Sequence, residues 1–577
     1  MGLFGPPDVS KLKARRDLKG LLAALAYKKE SSVRRDAAVA LAEVLEPLPV
    51  DQKTAYANPL IAALDDSDYG VTVGVVQALA AIGHSAILPL ITSLRSPQER
   101  VREGSARALG RIGAETSEPA YLRLPIDPLV AALKDPVLTV RRAAAWALGR
   151  IGPRLDSVQR SLPMENLILA LRDSAPEVRE MAASSLGRMG EGRSIRPLVS
   201  VLEDNTSSVR KTAAEALEAL GWHPTSPAEQ AVYFVAIQNW ERAATSGPEA
   251  APALQRALLD RSGEVRRAAA QALGKTGSAR VIDPLIKALN DPDNQVRKAA
   301  AEALEQAGAP QAVEGLLAAL RDSEREVKPA IARALGHAGD ARAVPALVTA
   351  LKSRDEDLVR SAGHSLVKIG LPAVVPLINL LREPDPDVQE ISADILARIG
   401  PMAVVSLIDA LQNAGTPTSE YAARILGRIR DPRALRPLIT ALDNDEVCCA
   451  ACLALGKLGD PRAVPRLLDM LSAQSEAVRQ AAAIGLGGIG DPRALDSLIQ
   501  LLKANERDTR RDAAEALLQM YRTGNLDTTQ KRRILAQQDR INEKHVDHES
   551  HVDNVRSSDC HRDESYHLDT GIGLEFK

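Results

Sequence analysis

The chain has 577 residues, a formal net charge of −2 and only three Trp, eight Tyr and three Phe. A nucleic-acid-binding protein usually carries a basic excess, so this balance argues against that class. Few aromatic residues and many Ala and Leu are typical of closely packed helices rather than of stacking or redox chemistry.

The first ten residues, MGLFGPPDVS, contain no cationic region followed by an apolar run, and Pro6 stands where a myristoylation site has Ser or Thr. No stretch is expected to be long enough to span a bilayer. The four cysteines are too few for a disulfide framework, which suits a reducing compartment. We therefore expect a cytoplasmic protein with neither a membrane nor a nucleic-acid partner.

A short motif recurs along the chain, as VRRAAAWALGRIG from Val140, VREMAASSLGRMG from Val178 and VRQAAAIGLGGIG from Val478. Most copies are 29 to 32 residues apart. A period of this size predicts stacked helix pairs, because one pair cannot bury its apolar face alone. We count fifteen units, anchored at residues 33, 71, 101, 140, 178, 209, 265, 296, 327, 358, 388, 418, 447, 478 and 509.

Residues 126–152 illustrate one unit. Asp127 is expected to cap a short first helix, and the chain then breaks at Asp135. A second helix places Val140 and Leu148 on one apolar face. The predicted fold is all-α, an α-α superhelix of about fifteen such pairs with an irregular carboxy-terminal tail.

Three segments carry a specific resemblance: GDPRAVPRLLDML from Gly459, GDPRALDSLIQLL from Gly490 and RDPRALRPLITAL from Arg430. They resemble HEAT repeats of the short bacterial type, named after phycobilisome lyase subunits. The resemblance covers roughly residues 18–521. It implies a solenoid, and it makes a phycobilin lyase subunit or chromophore-binding chaperone one functional hypothesis.

An arginine follows the anchor valine in many units. A row of arginines could bind phosphate, but in this repeat class such an arginine usually bridges to the aspartate of the preceding turn, which implies a structural ladder between units. The implied acids are Asp135, Asp173, Asp204 and Asp291. The arginines are Arg102, Arg141, Arg179, Arg210, Arg266, Arg297, Arg360 and Arg479.

An aromatic insert separates the anchors at 209 and 265. Ser226, with Pro227 and a glutamate after it, predicts the start of a single helix that carries Tyr233 and Trp240 on one face. Two interpretations stay open: the rings fill a seam between helices, or Trp222, Tyr233 and Trp240 anchor a partner. The predicted domains are an N-terminal array at 1–221, the insert at 222–247, a C-terminal array at 248–521 and a helix plus tail at 522–577.

The tail repeats a His-x-Asp triplet four times, with one cysteine beside the third copy. In an extended chain each triplet presents an imidazole and a carboxylate on one face, which suits Zn²⁺ or another first-row metal. Docking of the tail through hydrogen bonds, or simple solvation, are the alternatives. The candidate ligands are His545, Asp547, His551, Asp553, Cys560, His561, Asp563, His567 and Asp569.

Known catalytic patterns are missing from the sequence. It contains no Gly-rich phosphate loop, nucleophile elbow or HExxH helix. The deoxyhypusine hydroxylases, built from the same repeats, hold iron with His-Glu pairs, whereas no histidine before the tail is followed by Glu. The sequence therefore favours a non-catalytic, monomeric scaffold for protein partners. A lyase, or a metal-dependent, oxidoreductase-like activity centred on the tail, are the alternatives.

Overall fold

The computed structural model describes residues 6–116, 118–504, 507–523 and 526–537. Within these ranges the secondary structure is entirely helical. The predicted all-α fold is confirmed. The chain divides into two compact units, Met1–Gly339 and Asp340–Lys577. The four-part division predicted from the sequence stays a prediction.

The first unit contains twenty-three α-helices among its described residues. They are α1 (Val9–Ala14), α2 (Leu18–Leu25), α3 (Ser31–Leu45), α4 (Val50–Lys53), α5 (Ala57–Ala62), α6 (Tyr69–Ile82), α7 (Ile87–Ser93), α8 (Glu99–Glu115), α9 (Pro119–Arg123), α10 (Ile126–Ala132), α11 (Leu138–Ile151), α12 (Ser157–Ala170), α13 (Pro176–Met189), α14 (Ile195–Val201), α15 (Ser207–Ala219), α16 (Pro227–Ala236), α17 (Trp240–Thr245), α18 (Ala251–Ala257), α19 (Gly263–Lys275), α20 (Ile282–Ala288), α21 (Asn294–Ala307), α22 (Val313–Asp322) and α23 (Lys328–Ala338). Short 3₁₀ turns lie at Thr54–Tyr56, Ala63–Asp65, Gly83–Ala86, Gly152–Arg154, Gly192–Ser194, Gly247–Ala250, Ala279–Val281 and Pro310–Ala312.

The second unit continues the same alternation of helices. Its described helices are α24 (Val344–Ala350), α25 (Glu356–Ile369), α26 (Leu371–Leu380), α27 (Pro386–Ile399), α28 (Val404–Asn413), α29 (Thr418–Ile429), α30 (Leu435–Ala441), α31 (Cys448–Leu458), α32 (Val464–Met470), α33 (Glu476–Ile489), α34 (Leu495–Leu501), α35 (Arg507–Thr523) and α36 (Thr528–Leu535). Its 3₁₀ turns are Ala341–Ala343, Gly400–Met402, Pro432–Ala434, Pro461–Ala463 and Pro492–Ala494.

Most repeats consist of a short first helix followed by a longer second helix, as in α10 with α11 or α30 with α31. The second helices pack on one another in chain order, α11 on α13 and α13 on α15, and in the second unit α29 on α31 and α31 on α33. Each of the fifteen anchors counted from the sequence lies in the second helix of a repeat or directly before it. Each unit is therefore a stack of helix pairs.

The apolar stripe predicted for residues 126–152 forms the core of its repeat. Leu129, Val140 and Leu148 have no exposed surface. The predicted cap at Asp127 is wrong, because α10 begins at Ile126 and Asp127 lies within its first turn. The N-cap residue is Pro125, which already has helical backbone angles. The chain enters this helix directly from a turn, so a side-chain cap has no place there.

Small residues let the second helices approach closely. A Cβ added at Gly456 would lie 2.6 Å from Cα of Gly485, and one at Gly187 would lie 2.7 Å from Cβ of Ala216. Glycine inside a helix costs roughly 1 kcal/mol relative to alanine. The close contact between neighbouring repeats is what offsets this cost.

One apolar run, Tyr69–Ser93, has the length and mean hydropathy, 1.8, of a membrane-spanning segment. The expectation that no stretch reaches that length is therefore wrong. Gly83, with φ of 80°, ends α6 within the run, and half of the apolar window is buried inside the protein. α6 packs on α3 and α8. Its apolar side chains are therefore those expected of a helix in the core of a repeat.

Candidate interaction sites

The arginine ladder joins consecutive repeats of the first unit. Arg141 donates from Nε and Nη2 to the two carboxylate oxygens of Asp173, each at 2.8 Å. Its Nη1 donates to the carbonyl oxygen of Asp135, at 2.9 Å, in the turn of its own repeat. The same two-oxygen contact occurs in the pairs Arg34–Asp66, Arg102–Asp135, Arg179–Asp204 and Arg266–Asp291.

The ladder exists, but its predicted direction is wrong. The carboxylate comes from the turn of the following repeat, and the preceding turn contributes a carbonyl oxygen instead. Asp135 shows the reason, since its Oδ1 accepts the Val137 amide at 2.9 Å and its carboxylate faces Arg102 of the repeat before it. The turn at Asp135 therefore binds two arginines. Its carboxylate accepts from Arg102 of the repeat before it, and its carbonyl oxygen accepts from Arg141 of its own repeat.

The pair of Arg102 and Asp135 shows how electrostatics favour the charged forms. Burial alone would raise the pKa of the Asp135 carboxyl, but hydrogen bonds from Arg102 and the Val137 amide outweigh it and lower the pKa. The hydrogen bond to Asp135 in turn raises the pKa of Arg102. Both donor-bearing edges of these guanidinium groups are occupied, which argues against phosphate binding by the ladder.

Register explains two irregular positions. Arg360 lies two residues after its anchor Leu358, is exposed, and contacts Asp357 on its own helix at 3.3 Å, so it is no part of the ladder. At the second anchor, Thr72 replaces the arginine, and the following turn has Ser96 in place of the aspartate. Here arginine and aspartate are replaced together.

The second unit lacks the aspartate at this turn position. Other groups there bind the carbonyl oxygens of their own turn: Gln389 Nε2 donates to Glu383 O at 2.8 Å, and Ser419 Oγ to Ala414 O at 2.7 Å. The Cys448 thiol donates to Asp445 O at 3.4 Å. The residues at the turn position are Ser353, Glu383, Asn413, Asn444, Ala473 and Ala504.

The insert forms two helices, so the predicted single helix is wrong. Ser226 caps α16 and Pro227 is its first residue, as expected. Gln238, with φ of 59°, then breaks the chain, and Trp240 begins α17. α16 packs on α18, the first helix of the next repeat, and α17 packs on α19, its second helix. Consecutive repeats pack on one another in the same way. The insert is therefore a shortened additional helix pair.

The aromatic rings of the insert are half-buried. Trp222 and Tyr233 lie 6.1 Å apart between ring centroids and pack against the core of the first unit. Tyr233 donates its hydroxyl to Glu218, and burial together with this carboxylate raises the pKa of Tyr233 to about 12. Trp240 lies apart on α17. The geometry leaves both the seam and the anchor interpretation open.

A cleft of about 170 Å³ lies beside the insert. Arg210 lines it and is only 3% exposed. Its Nη1 donates to Asp260 Oδ2 at 2.7 Å and to Asp204 O at 2.8 Å, but its Nε and Nη2 have no hydrogen-bond partner. Mainly apolar side chains form the rest of the lining: Leu202, Val232, Val235, Ala253, Ala257 and Leu259.

Leu259 at this cleft is unusual for the repeat. It is 78% exposed and occupies the turn position directly after the last leucine of the first helix. In thirteen of the other repeats this position is polar: Asp65, Arg95, Lys134, Arg172, Glu203, Asn290, Arg321, Lys352, Arg382, Gln412, Asp443, Ser472 and Lys503. The first repeat has Ala26 there. Comparison of these turns could have singled out Leu259 from the sequence.

An exposed apolar patch occurs in the second unit, and we call Leu371, Val375, Met402 and Val405 the outer patch. Val375 and Val405 occupy the same position of successive first helices and are 58% and 66% exposed. A Cβ at Gly370 would lie 3.1 Å from Met402 Cε, and α26 packs on α28, so the two repeats place the patch side by side.

Comparison with protein families decides the class of the chain. A model for HEAT repeats matches residues 57–124, 164–235, 225–305, 282–367, 372–448 and 438–519, and a second HEAT-repeat model matches 126–155. The chain belongs to the HEAT-repeat family. Two of these HEAT matches extend into the insert, since 164–235 ends within it and 225–305 begins within it. No curated protein matches the chain.

Several solved structures align with most of the chain, at low identity and low TM-score. Importin beta in an ammonium sulfate condition is 14% identical, with 92% of this chain and 88% of that chain covered and a TM-score of 0.32. Kap95p, solved in a study of its binding to RanGDP, is 13% identical, with 93% and 97% covered and a TM-score of 0.34. Kap121p bound to Pho4p is 15% identical, with 93% and 73% covered and a TM-score of 0.32.

The His-x-Asp tail, from His545 to Asp569, lies outside the described residues of this HEAT protein. Within the described ranges no group of three or more His, Cys, Asp or Glu side chains could hold a metal ion. Cys448 and Cys452 are buried in α31, and burial raises the pKa of the Cys452 thiol to about 12. Those two thiols are core side chains of a HEAT repeat.

Proposed function

We propose that this chain is a non-catalytic, cytoplasmic scaffold that binds another protein through the outer patch, Leu371, Val375, Met402 and Val405. The observation that carries the proposal is the exposure of these four apolar side chains on two neighbouring repeats. Contiguous exposed apolar surface on a soluble protein is typical of an interaction site.

The rest of the repeat supports this assignment. At the position of Val375 and Val405, other repeats carry Asp127, Arg196 or Asp283, a proline such as Pro345, or in one repeat Leu88. This position needs no apolar side chain to fold, since its polar versions occur in the same chain. Two successive valines there, next to Leu371 and Met402, make a contiguous apolar surface that the core does not require.

The patch also indicates the chemistry of the partner. Arg436 occupies the same position in the next repeat, so the apolar surface is bordered by a cation. A helix or strand with apolar side chains along one face, and an acidic residue beyond them, fits this surface. The proposed assembly is one copy of the chain with one such segment.

The test compares affinity captures from the native source with wild-type chain and with the double variant Val375→Glu/Val405→Glu. We expect a captured protein that is retained by the wild type and reduced at least tenfold with the variant, since two carboxylates in an apolar contact must be desolvated. The captured protein is then titrated against the purified chain.

A matched control is Pro345→Glu/Pro465→Glu, which changes the same exposed position in other repeats of the same unit. Circular dichroism verifies that both variants stay helical. If no captured protein distinguishes the two double variants, the outer patch is not the binding surface and the proposal is lost.

The phycobilin lyase alternative rests on the resemblance of the repeats alone. Incubation with a bilin, followed by visible absorption spectroscopy, tests it. A bilin absorption band that stays with the protein through denaturing purification would replace the scaffold proposal by this one.

The metal alternative rests on the His-x-Asp triplets of the tail. Zn²⁺ or a similar metal bound by His551 and His561, with their aspartates, is the proposal, and elemental analysis of untagged protein tests it. We expect about one equivalent, lost in the double variant His551→Ala/His561→Ala. Metal-free wild-type protein would remove this alternative.

A further inference from the structure

We propose that the basic patch formed by Arg111, Arg142, Trp146, Arg150 and Arg188 binds an acidic, extended segment of a partner protein. The basic patch lies on α8, α11 and α13 of the first unit, whereas the outer patch lies in the second. This second surface goes beyond the proposed function, and it is tested with other residues and another probe. Two observations carry it: arginines without acidic partners on adjoining helices, and a tryptophan between them.

The basic patch lies on a face of the second helices that the core covers only in part. On α11, Arg142, Trp146 and Arg150 are four residues apart, so they share one helix face. All three are partly exposed, whereas Ala144 and Leu148 of the same helix are fully buried. This face of α11 is therefore open to a partner.

Three arginines of the basic patch form a row across neighbouring helices. Arg111, Arg150 and Arg188 each stand ten residues after their anchor, on α8, α11 and α13. Because α11 packs on both α8 and α13, equivalent positions of the three helices lie side by side. The axes of packed helices are about 8 to 10 Å apart, and this distance sets the spacing of the row.

The arginines of this row have no acidic partner. Arg428, at the same position of a repeat in the second unit, contacts Asp394 at 2.9 Å. By contrast, Arg111, Arg150 and Arg188 form neither an ion pair nor a side-chain hydrogen bond with any described residue. All three lie near the carboxy-terminal ends of their helices, where the helix dipole favours a cation. The dipole accounts for the charge, but it leaves the guanidinium donors unused.

These donors can be reached from solvent. Among the guanidinium nitrogens of Arg111, Arg142 and Arg150, only Nε of Arg150 is closed off, and Arg188 is exposed. Arg142 likewise has no ion pair within the described ranges. Carboxylates can therefore approach all four groups and accept charge-assisted hydrogen bonds from them.

The face that carries the basic patch is positive as a whole. Besides the four arginines of the patch, it holds Arg107 and two acids, Glu103 and Glu180. Arg107 and Glu103 already form an ion pair at 2.7 Å, so Glu180 alone opposes the four arginines. An anionic ligand is therefore attracted to this face, and more strongly at low salt.

A short acidic segment of a protein is favoured over a nucleic acid. The whole chain has a net charge of −2, so a long polyanion would find little attraction beyond the basic patch. A segment with a few carboxylates needs only the four arginines.

Trp146 indicates the conformation of the segment. Its ring lies over α8, where a Cβ added at Gly110 would be 2.8 Å from Cζ3, and the guanidinium carbon of Arg150 is 5.6 Å from the ring centroid. Proline-rich segments in the polyproline II conformation dock on aromatic side chains. This conformation has three residues per turn and advances about 9 Å per turn, which matches the spacing of the row. The segment that fits therefore has an acid at every third position, with prolines between.

The experiment measures binding of N-acetyl-(Asp-Pro-Pro)₃-amide to the immobilised full chain by surface plasmon resonance. Its neutral counterpart is N-acetyl-(Asn-Pro-Pro)₃-amide. We expect the acidic peptide to bind at least tenfold more tightly, since its carboxylates pair with guanidinium groups. Equal binding of the two peptides, or no binding of the acidic peptide at about 1 mM, would overturn the proposal.

Two matched variants locate the site. Arg142→Gln/Arg150→Gln removes two cations from α11 and is expected to weaken binding of the acidic peptide at least fivefold. Arg267→Gln/Lys275→Gln removes two exposed cations from the same positions of α19 and should leave binding unchanged. Glutamine is a good helix former, and circular dichroism verifies that both variants stay helical. Equal affinities of the two variants would show that the peptide follows overall charge and would overturn the assignment.

Two further probes identify the segment. N-acetyl-Asp-Asp-Asp-Pro-Pro-Pro-Pro-Pro-Pro-amide has the same composition with adjacent acids, and we expect at least threefold weaker binding because its acids face different sides of the helix. Equal binding would overturn the match to the row. A thymidine tetranucleotide without terminal phosphates carries the same three negative charges. Tighter binding of this oligonucleotide than of the acidic peptide would assign the basic patch to nucleic acid and overturn the proposal.

Discussion

In residues 1–339, five arginines each bind both carboxylate oxygens of an aspartate in the next repeat, whereas the turns of residues 340–537 offer no aspartate at that position. In the second unit Gln389 and Arg479 still bind carbonyl oxygens of their own turns, at 2.8 and 2.9 Å. The arginine of the repeat therefore has two separable tasks. It closes its own turn, and it joins the next repeat.

The second unit strengthens a different joint. Three aspartates cap the 3₁₀ turns that precede first helices: Asp431, Asp460 and Asp491. Arg433 donates to the carbonyl oxygen of Pro401 at 2.9 Å, and Arg493 to that of Pro461 at 2.8 Å, in each case in the repeat before. These arginines are about half exposed. Because exposed ion pairs contribute little, burial of apolar side chains must dominate the joints of this unit.

The largest expected effect tests whether the core is common to both units. Leu148→Ala and Leu455→Ala remove the same fully buried side chain from α11 and α31. Each is expected to cost about 2 to 5 kcal/mol of local stability. Hydrogen exchange measured by mass spectrometry should show loss of protection in the changed repeat and its neighbours. A loss of protection in only one of the two variants would show that the two units do not share the same core.

The next effect separates the units. Asp173→Ala leaves the buried guanidinium of Arg141 without its carboxylate and is expected to cost about 1.5 to 3 kcal/mol. Asn444→Ala changes the equivalent, exposed turn residue of the second unit and is expected to cost under about 0.5 kcal/mol. The opening free energies of α11 and α31 from hydrogen exchange measure both. Equal costs would mean that the ladder adds nothing to the joint.

Acid should act on the two units in different places. Burial raises the pKa of the Asp173 carboxyl, but the hydrogen bonds from Arg141 and the Ala175 amide outweigh it, so its folded pKa is lowered from 3.8. A carboxyl with a lowered folded pKa makes its full contribution to the free energy of unfolding above its ordinary pKa of 3.8. That contribution is lost as pH falls through the folded pKa.

Below about pH 4, protection of α11 should therefore fall relative to α31, after correction for intrinsic exchange. The Asp460 carboxyl also has a lowered pKa, from its hydrogen bonds with Arg462, yet it contacts only its own repeat. Acid should thus loosen the turn before α32 without uncoupling α31 from α33. Parallel loss of protection in α11 and α31 would contradict this.

The smallest effect rebuilds a missing rung. Thr72→Arg with Ser96→Asp restores both partners at the joint where both are absent. A double-mutant cycle on the opening free energy of α8 should give a favourable coupling of about 1 kcal/mol, since the pair joins two repeats near the surface. A coupling of zero would show that the spacing of this joint differs from its neighbours.

The repeat core was predictable because apolar residues recur with the period of the fold, as at Val140 and Leu148. The direction of the ladder was not, since an arginine is flanked by two turns and the sequence does not say which one stacks against it. The break at Gln238 was hidden for another reason: a positive φ is uncommon for residues other than glycine. The cleft beside the insert needed the structure, because its lining residues come from separate helices and turns between Leu202 and Leu259.

In each ladder contact an arginine binds the aspartate of the following repeat. This direction affects whether a repeat can be gained or lost in evolution. A ladder repeat offers an aspartate to the copy before it and an arginine to the copy after it, so any two copies meet through complementary ends. If residues 136–173 were deleted, Arg102 would still meet Asp135, and Arg179 would take the place of Arg141 behind it. Duplication or loss of a copy can therefore pass through this joint without leaving a charge unmatched.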